Sequence, residues 1–599
     1  MKQIILGNEA IAWGLIHANV DVVSGYPGTP SSEILKTYQL IRDKHGIDAF
    51  AEWASNEKVG FEVAYAASIS GKKSAATMKQ VGVNVASDAI YSAAYIGNKG
   101  AMLLIAADDP GFHSSQTEQD SRVFAKTAQL PVLDPCDPQD AYDLTKAGVE
   151  LSEKFEITTI LRPVTRVCHS RQGVIMDDEI NFQPNVGKFK RDIPRWAAVP
   201  RGPRLGQGYE LLEKVEAMKD YNWETFIEPR LKDQKGTDLL ILTSGTCYGY
   251  IQEALDDLDL DIDVLKLDMP YPLPEAKMKK MMDGYKEVLV IEETKPLIEE
   301  QLLTPKVKGK LSGDVFVIDE VTNERVLLAL QSIGAYKGDN IYASESYTGE
   351  IPNRVPQLCP GCPHRDVFYA AKKVFKKRAV YPSDIGCYTL GLNQQAIDSI
   401  LCMGASVSMA AGFSIAEPTK TVVASIGDST FLHSGVAPLM TAVYNKNRFI
   451  LMILDNSTTA MTGRQPTLED HPDIDIKKVC EGIGLNVLEY EYSNDLNKSI
   501  EFMEELKTAY EANQNGPTVA VIREFCVLKK DDFQRLPGQF AISDLDACDS
   551  CNRCMTEYKC PPFYTNEDGK VDIDPTLCVG CCACLDVICH TDTFVPAKS

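Results

Sequence analysis

The feature that most constrains this chain is a strand, a helix and a second strand strung between an aspartate and an asparagine. Thr421–Ile426 is a β-branched run ending at Gly427, the pattern of a buried parallel strand. Gly427-Asp428-Ser429 follows at its carboxyl end, where open α/β sheets take their ligands. Ser434–Asn447 has helical spacing, and Phe449–Leu454 is a second apolar strand running into Asp455-Asn456. Neighbouring parallel strands would thus bring Asp428 and Asn456 to adjacent ends. A carboxylate, an amide oxygen and a nearby main-chain carbonyl are hard ligands, suited to a Mg²⁺ that takes phosphate oxygens and water at its other positions. A Rossmann-like unit with a solvated aspartate shares the pattern, so the rest of the chain has to separate the two.

At 599 residues the chain should hold roughly three to five domains. Its formal charge of −23 argues against nucleic acid, because nothing offsets phosphate repulsion. The first residues, MKQIILGNEAIAWGLIHANV, are interrupted by Asn8, Glu9 and His17 and do not form a signal peptide. No apolar run is long enough to span a membrane, and the expected location is cytoplasmic. Eighteen cysteines in such a chain are better suited to metals than to disulfides.

Alternation of helices and short strands predicts an α/β fold in several domains. Residues 1–165 form one α/β domain: Asn8 is a candidate cap for the helix Glu9–Ala18, and Ser55-Asn56-Glu57 opens a helix running to Ser70. Residues 166–236, with weak periodicity, read as a connecting segment; 237–340 is a smaller α/β domain, and Ser344–Pro356 a polar linker. The Asp428 domain spans 357–535, and a cysteine-rich tail covers 545–599.

In the tail, Cys548-x2-Cys551-x2-Cys554-x5-Cys560-Pro561 and Cys578-x2-Cys581-x2-Cys584-x4-Cys589 are paired runs of the bacterial ferredoxin type. The fourth cysteine of each such run ligates the other run's cluster. One [4Fe–4S] cluster is therefore expected on Cys548, Cys551, Cys554 and Cys589, the other on Cys578, Cys581, Cys584 and Cys560. Two zinc sites, each held by four cysteines, are the alternative, disfavoured by the CxxCxxC triplets. No proline follows Cys589, and Cys582 offers a spare thiol. Farther upstream lie Cys359-Pro360-Gly361-Cys362, then Cys387, then Cys526 at the end of the strand Thr518–Ile522. By themselves these could be a third cluster, a zinc site or buried thiols.

Taken together, the GDS…DN unit, CPGCPHR, YPGTPSSE, SNEK and the doubled cysteine runs resemble the thiamine-diphosphate (ThDP)-dependent 2-oxoacid:ferredoxin oxidoreductases over nearly the whole chain. Within that family they look like the large (α) subunits acting on indolepyruvate and other arylpyruvates. Ser429 replaces the final glycine of the usual Gly-Asp-Gly. The resemblance implies that 1–165 is a pyrimidine-binding-type domain and 237–340 a transketolase-C-terminal-like domain. It makes 357–535 the diphosphate- and Mg²⁺-binding domain, and the tail an α+β ferredoxin-like domain. It further implies a third [4Fe–4S] cluster near ThDP on Cys359, Cys362, Cys387 and Cys526. Glu57 resembles the activating glutamate that protonates the cofactor's aminopyrimidine; without the resemblance it would be a solvated first-turn carboxylate. Asp428 and Asn456 are expected Mg²⁺ ligands both ways, with the Thr458 carbonyl completing the shell by resemblance. Gly427 and Ser429 flank the metal, and Met403-Gly404 is expected under the thiazolium. Thr29 resembles the substrate-binding threonine, and His433 is favoured over His113 and His364 as a proton donor.

The implied reaction is oxidative decarboxylation of an aromatic 2-oxoacid with coenzyme A, giving arylacetyl-CoA and CO₂, with electrons leaving through the clusters to ferredoxin. The expected partner is a smaller β subunit, in an assembly with two copies of each chain. Another 2-oxoacid, pyruvate or a branched-chain one, or a non-redox ThDP decarboxylase are the competing readings.

Overall fold

The computed structural model describes residues 2–199, 203–343, 355–529, 541–585, 587–589, 591 and 593–596. The chain forms two compact units, 1–348 and 349–599. The expected linker Ser344–Pro356 lies outside the described residues apart from 355–356, as do 530–535 at the end of the Asp428 domain and 597–599 of the tail.

In the first unit, β1 (Lys2–Leu6) pairs antiparallel with β8 (Arg171–Ile175). Between them run β2 (Val22–Gly25), β3 (Phe50–Trp53), β4 (Ser74–Lys79), β5 (Met102–Ala107), β6 (Val132–Leu133) and β7 (Thr159–Leu161), in the order β3-β2-β4-β5-β7-β6. Every paired neighbour in this sheet is parallel. Both faces are covered by helices, which explains why β4 and β5 are buried at every residue instead of alternating. A second parallel sheet contains β9 (Leu239–Thr243), β10 (Asp263–Lys266), β11 (Glu287–Ile291) and β12 (Val307–Lys308), ordered β10-β9-β11-β12. Arg122, fully buried, ties it to the first: it reaches Asp120 at 2.8 Å, Glu292 at 3.3 Å and the Glu293 carbonyl at 2.6 Å.

Two local expectations are corrected here. The segment 166–236 holds β8 and a 20-residue helix, Pro203–Asn222. Its buried positions, Gln207, Leu211, Val215, Met218 and Asn222, form a narrow stripe with polar ends, too weak a period to stand out. Asn222 is there for its amide, which donates to the Met269 and Pro272 carbonyls at 2.8 Å each. Asn8 caps nothing: the helix begins at Gly7, and the Asn8 amide donates to the Pro30 carbonyl (2.6 Å) and Glu33 (2.8 Å).

In the second unit, a short parallel pair, β13 (Pro382–Ser383) and β14 (Ser399–Ile400), precedes the main sheet. That sheet is β15 (Val423–Gly427), β16 (Ile450–Asp455), β17 (Val487–Glu491) and β18 (Thr518–Arg523), all parallel, ordered β15-β16-β18-β17. Helices Pro363–Phe375 and Leu496–Ala512 cover one face; Ala405–Ala416, Val436–Tyr444 and Ile476–Gly482 cover the other. The tail is two antiparallel pairs, β19 (Ala541–Ser543) with β22 (Phe594–Pro596) and β20 (Phe563–Thr565) with β21 (Val571–Ile573). Its small apolar cluster borrows Tyr369 and Leu496 from the α/β part. Among the described residues, no helix is long and apolar enough to cross a membrane.

Candidate cofactor and metal sites

Gly427 pairs with Leu454, so β15 and β16 end side by side and bring Asp428 next to the Asp455–Thr459 loop. A side chain at Gly427 would collide with the Tyr388 ring, so the strand end is shaped by that ring. The loop is pinned back by a hydrogen bond from Thr459 Oγ1 to Ser429 Oγ, 3.1 Å. Asn456 Oδ1 accepts the Thr458 N–H at 3.2 Å. Sequence reasoning missed two members of this corner: the ligand oxygens of Asp428, Asp455 and Glu469 lie within 4.8 Å of one another. Asp455 announced itself only as the neighbour of Asn456, and Glu469 belongs to no motif.

Three carboxylates this close require positive charge. Arg523 supplies some, reaching Asp455 at 2.5 Å and Glu469 at 3.2 Å. Asp428 receives none of it: it is buried, and its Oδ2 has no hydrogen-bond partner. Burial, then the charge of Asp455, pushes its carboxyl well above the usual range. Burial and Asp455 likewise push Glu469 up to about 7. An orphaned, desolvated carboxylate oxygen at a sheet's carboxyl edge fits a divalent cation held by one protein carboxylate and phosphate oxygens.

A pH dependence follows. Both pKa values are raised, so the folded apo-protein keeps protons that the unfolded chain releases, and this contribution to stability is lost as pH climbs from 4.5 through about 7 for Glu469. A divalent cation at this corner would compete with those protons. Binding of Mg²⁺ with ThDP should therefore be tighter at pH 8 than at pH 6 and release protons, checked by calorimetry in buffers of different ionisation enthalpy.

The turn before helix Ala405–Ala416 is fixed by Asp384, which accepts the Gly404 and Ser406 amides at 2.7 and 2.9 Å. Gly404 has φ +81°, and a side chain there would strike Ser434 Oγ. Ser434 donates to the Met403 carbonyl at 2.9 Å and bonds His433 Nδ1 at 2.8 Å. The structure thus brings Met403, Gly404 and buried His433 together. His364 is spoken for by a short bond to Glu524, and His113 by Glu320 at 3.2 Å.

Thr29 and Glu57 lie in the first unit. Glu57 is 4% exposed, in the first turn of helix Glu57–Ile69, with Asn56 capping through the Val59 amide. Only a glycine fits opposite it, since a side chain at Gly82 would collide with Glu57 Cγ. The Thr29 carbonyl accepts Ser114 Oγ at 3.4 Å. Beside it stands a residue that sequence reasoning passed over: Lys79, at the end of β4, donates to the Ser114 carbonyl at 2.6 Å. Burial brings its ammonium down to about 8, with Asp109 pulling the other way.

The cysteines gather in three sets. Burial, then Cys526 and Cys359, push the Cys387 thiol up to about 12, and Asp428 adds to it. Cys362 is raised by burial, then by Glu524 and, more weakly, Cys387. Cys359, Cys362, Cys387 and Cys526 form the first set. Cys554, raised to about 11 by burial, feels Cys589 and Cys551. Cys584, raised by burial, feels Cys581, Cys560 and Cys578, with Cys582 the more distant fifth. Cys548 is half-buried, three residues before Cys551 in the chain. A tetrahedral zinc with bonds of about 2.3 Å needs its sulfurs about 3.8 Å apart. Among the described residues, the trio with ligand atoms within 4.8 Å contains no cysteine. The CxxCxxC intervals suit cubane clusters, whose iron would hold as thiolates sulfurs that burial otherwise keeps protonated.

The first and third sets touch. The Gly361 amide of the CPGC loop donates to Cys560, and a side chain at Gly361 would lie 3.6 Å from Cys581 Sγ. Arg365, 2% exposed, donates to the Leu358 and Cys359 carbonyls (2.6 and 3.3 Å) and to those of Tyr558 (3.1 Å) and Lys559. Asp366 next to it accepts from Tyr558 at 2.6 Å and from Tyr492.

Two family models match the chain. Residues 13–230 match the thiamine-diphosphate-binding domain of pyruvate flavodoxin/ferredoxin oxidoreductases. Residues 384–522 match the C-terminal TPP-binding domain of thiamine pyrophosphate enzymes. The indolepyruvate oxidoreductase subunit IorA of Archaeoglobus fulgidus is 38% identical over 100% of this chain and 98% of its own length. The IorA subunit of Methanothermobacter marburgensis is 38% identical over 99% and 97%. That of Thermococcus kodakarensis is 36% identical over 100% and 97%.

Proposed function

This chain belongs to the family of indolepyruvate oxidoreductase IorA subunits, and on that premise we propose that it is the catalytic α subunit of an arylpyruvate:ferredoxin oxidoreductase. The observation that carries the reading is the orphaned Asp428 oxygen in the same unit as three sets of cysteines. A bound ThDP supplies the nucleophilic carbon that a 2-oxoacid needs to lose CO₂. In this reading Asp428, Asn456 and the Thr458 carbonyl hold the Mg²⁺, flanked by Gly427 and Ser429. Met403 and Gly404 support the thiazolium, kept in place by Asp384 and Ser434. Glu57 holds the proton for the aminopyrimidine, Thr29 orients the substrate, and His433 hands a proton to it.

The electrons then have somewhere to go. Cys387 lies near enough to Asp428 to feel its charge, so the first cysteine set borders the metal corner. Three [4Fe–4S] clusters on the three sets would pass single electrons on to a ferredoxin, with coenzyme A taking the arylacetyl group. The subunit naming of the relatives supports a partner chain. We assign that place to a smaller β subunit, with two copies of each chain.

The test is an anoxic assay of the α and β chains with ThDP, Mg²⁺ and coenzyme A, following viologen reduction across a panel of 2-oxoacids. Indolepyruvate and its phenyl and hydroxyphenyl analogues should lead. A chain that turns over only pyruvate or branched-chain oxoacids would overturn the substrate assignment. Iron analysis should give about twelve atoms per chain, and about eight would remove the cluster of Cys359, Cys362, Cys387 and Cys526. Exposure to air should bleach the brown protein and end turnover together.

A further inference from the structure

The cysteine sets have an order along the second unit. The set of Cys560, Cys578, Cys581 and Cys584 touches the CPGC loop through Gly361. In the set of Cys548, Cys551, Cys554 and Cys589, by contrast, Cys551 is exposed. That set is where an electron would leave the chain.

A basic collar stands at the same place. The formal charge of the chain is −23, yet helix Pro363–Phe375 and the turn Lys376–Arg378 end in the sequence KKVFKKR. Lys372, Lys373, Lys376 and Lys377 line a cleft of ≈ 440 Å³ together with Arg553, which sits between Cys551 and Cys554 in the cluster run itself. Lys373, Lys376, Lys377 and Arg378 are exposed, and among the described residues no carboxylate pairs with them. Among the described residues, the acid lining the cleft is Glu557, 3.4 Å from Arg553. The floor is Tyr369, packed edge-on against Tyr558 at 5.8 Å and sharing an apolar cluster with Cys554.

An unneutralised positive field on an otherwise acidic surface attracts an acidic partner and holds it in register. We propose that this collar is the docking site of a small acidic one-electron carrier of the ferredoxin type. Its cluster would lie against Cys551, so that the Cys548, Cys551, Cys554 and Cys589 set is the exit of the relay. The inference rests on the proposed function, and its test keeps the two apart.

The experiment uses the complete enzyme with its β subunit, comparing wild type with Lys373→Glu/Lys376→Glu/Lys377→Glu and an acidic 2[4Fe–4S] ferredoxin as the probe. These side chains are exposed, so the variant should fold and keep its iron. Ferredoxin should bind the resting variant at least tenfold more weakly at low salt, and kcat/KM for ferredoxin should fall as much. The gap should close as salt screens the charges. Reduction of methyl viologen, a small cation that needs no collar, should not change. Equal ferredoxin binding by the two proteins would overturn the proposal. So would loss of the β subunit from the variant, which would make the collar a subunit interface. A wild-type enzyme that binds ferredoxin but never reduces viologen from arylpyruvates would instead sink the functional reading and leave the collar standing.

Discussion

Glu57→Gln is expected to slow arylpyruvate-dependent viologen reduction by about 10²–10⁴-fold, the range for losing one positioned proton-transfer group. The substitution keeps the shape of the side chain, so it should fit the same slot against Gly82. It should also keep the helix start, since Asn56 and not Glu57 caps the Val59 amide. What it removes is a carboxylic acid in a place from which water is largely excluded. Iron content and cofactor affinity should therefore stay near wild type while turnover collapses. Activity within threefold of wild type would remove Glu57 from the chemistry and leave it a first-turn residue.

Asp428→Asn should have an equally large effect of the opposite kind, on binding first. The buried carboxylate has an unpartnered oxygen and two acidic neighbours, so in the apo-protein it is a source of strain. Replacing it with an amide removes the cost of ionising a carboxyl beside Asp455, and the apo variant should melt no lower than wild type. The stabilisation added by Mg²⁺ and ThDP, about 2.7 kcal/mol at a hundredfold excess over Kd, should vanish. Thermal melts with and without both ligands give the answer in one experiment. A variant that is stabilised by the cofactor as strongly as wild type would show that the metal is held elsewhere, with Asp455 and Glu469 the first places to look.

The elements legible in the sequence were those with a strong period or a fixed spacing. β15 and β16, buried at every residue, stood out as apolar runs, with ends shifted by a residue or two. The cysteine runs stood out in the sequence because their intervals are fixed, and the structure gathers these thiols into sets. What escaped was set by tertiary contact. Asn8 looked like a cap and serves as a bridge to Pro30 and Glu33. Glu469 reaches the Asp428–Asp455 corner from a short turn, Leu468–Asp470, that follows no motif. Lys79 closes a buried strand, where an aliphatic residue would satisfy any sequence pattern equally well. Helix Pro203–Asn222 buries only one narrow stripe, and two of its five inward residues are amides.

The tail resembles a detachable module, and Arg365 says that it is not one. Its guanidinium is divided between the Leu358 and Cys359 carbonyls, where the CPGC loop begins, and the Tyr558 and Lys559 carbonyls just ahead of Cys560. A truncation at 545 would take away two of its acceptors and the Gly361–Cys560 contact at the CPGC loop, a loss of the severity that follows breaking a buried charged contact. Attempts to graft a different relay onto this carbon-chemistry half would have to transplant residues 358–366 along with it. Natural exchange of such tails between lineages would face the same seam.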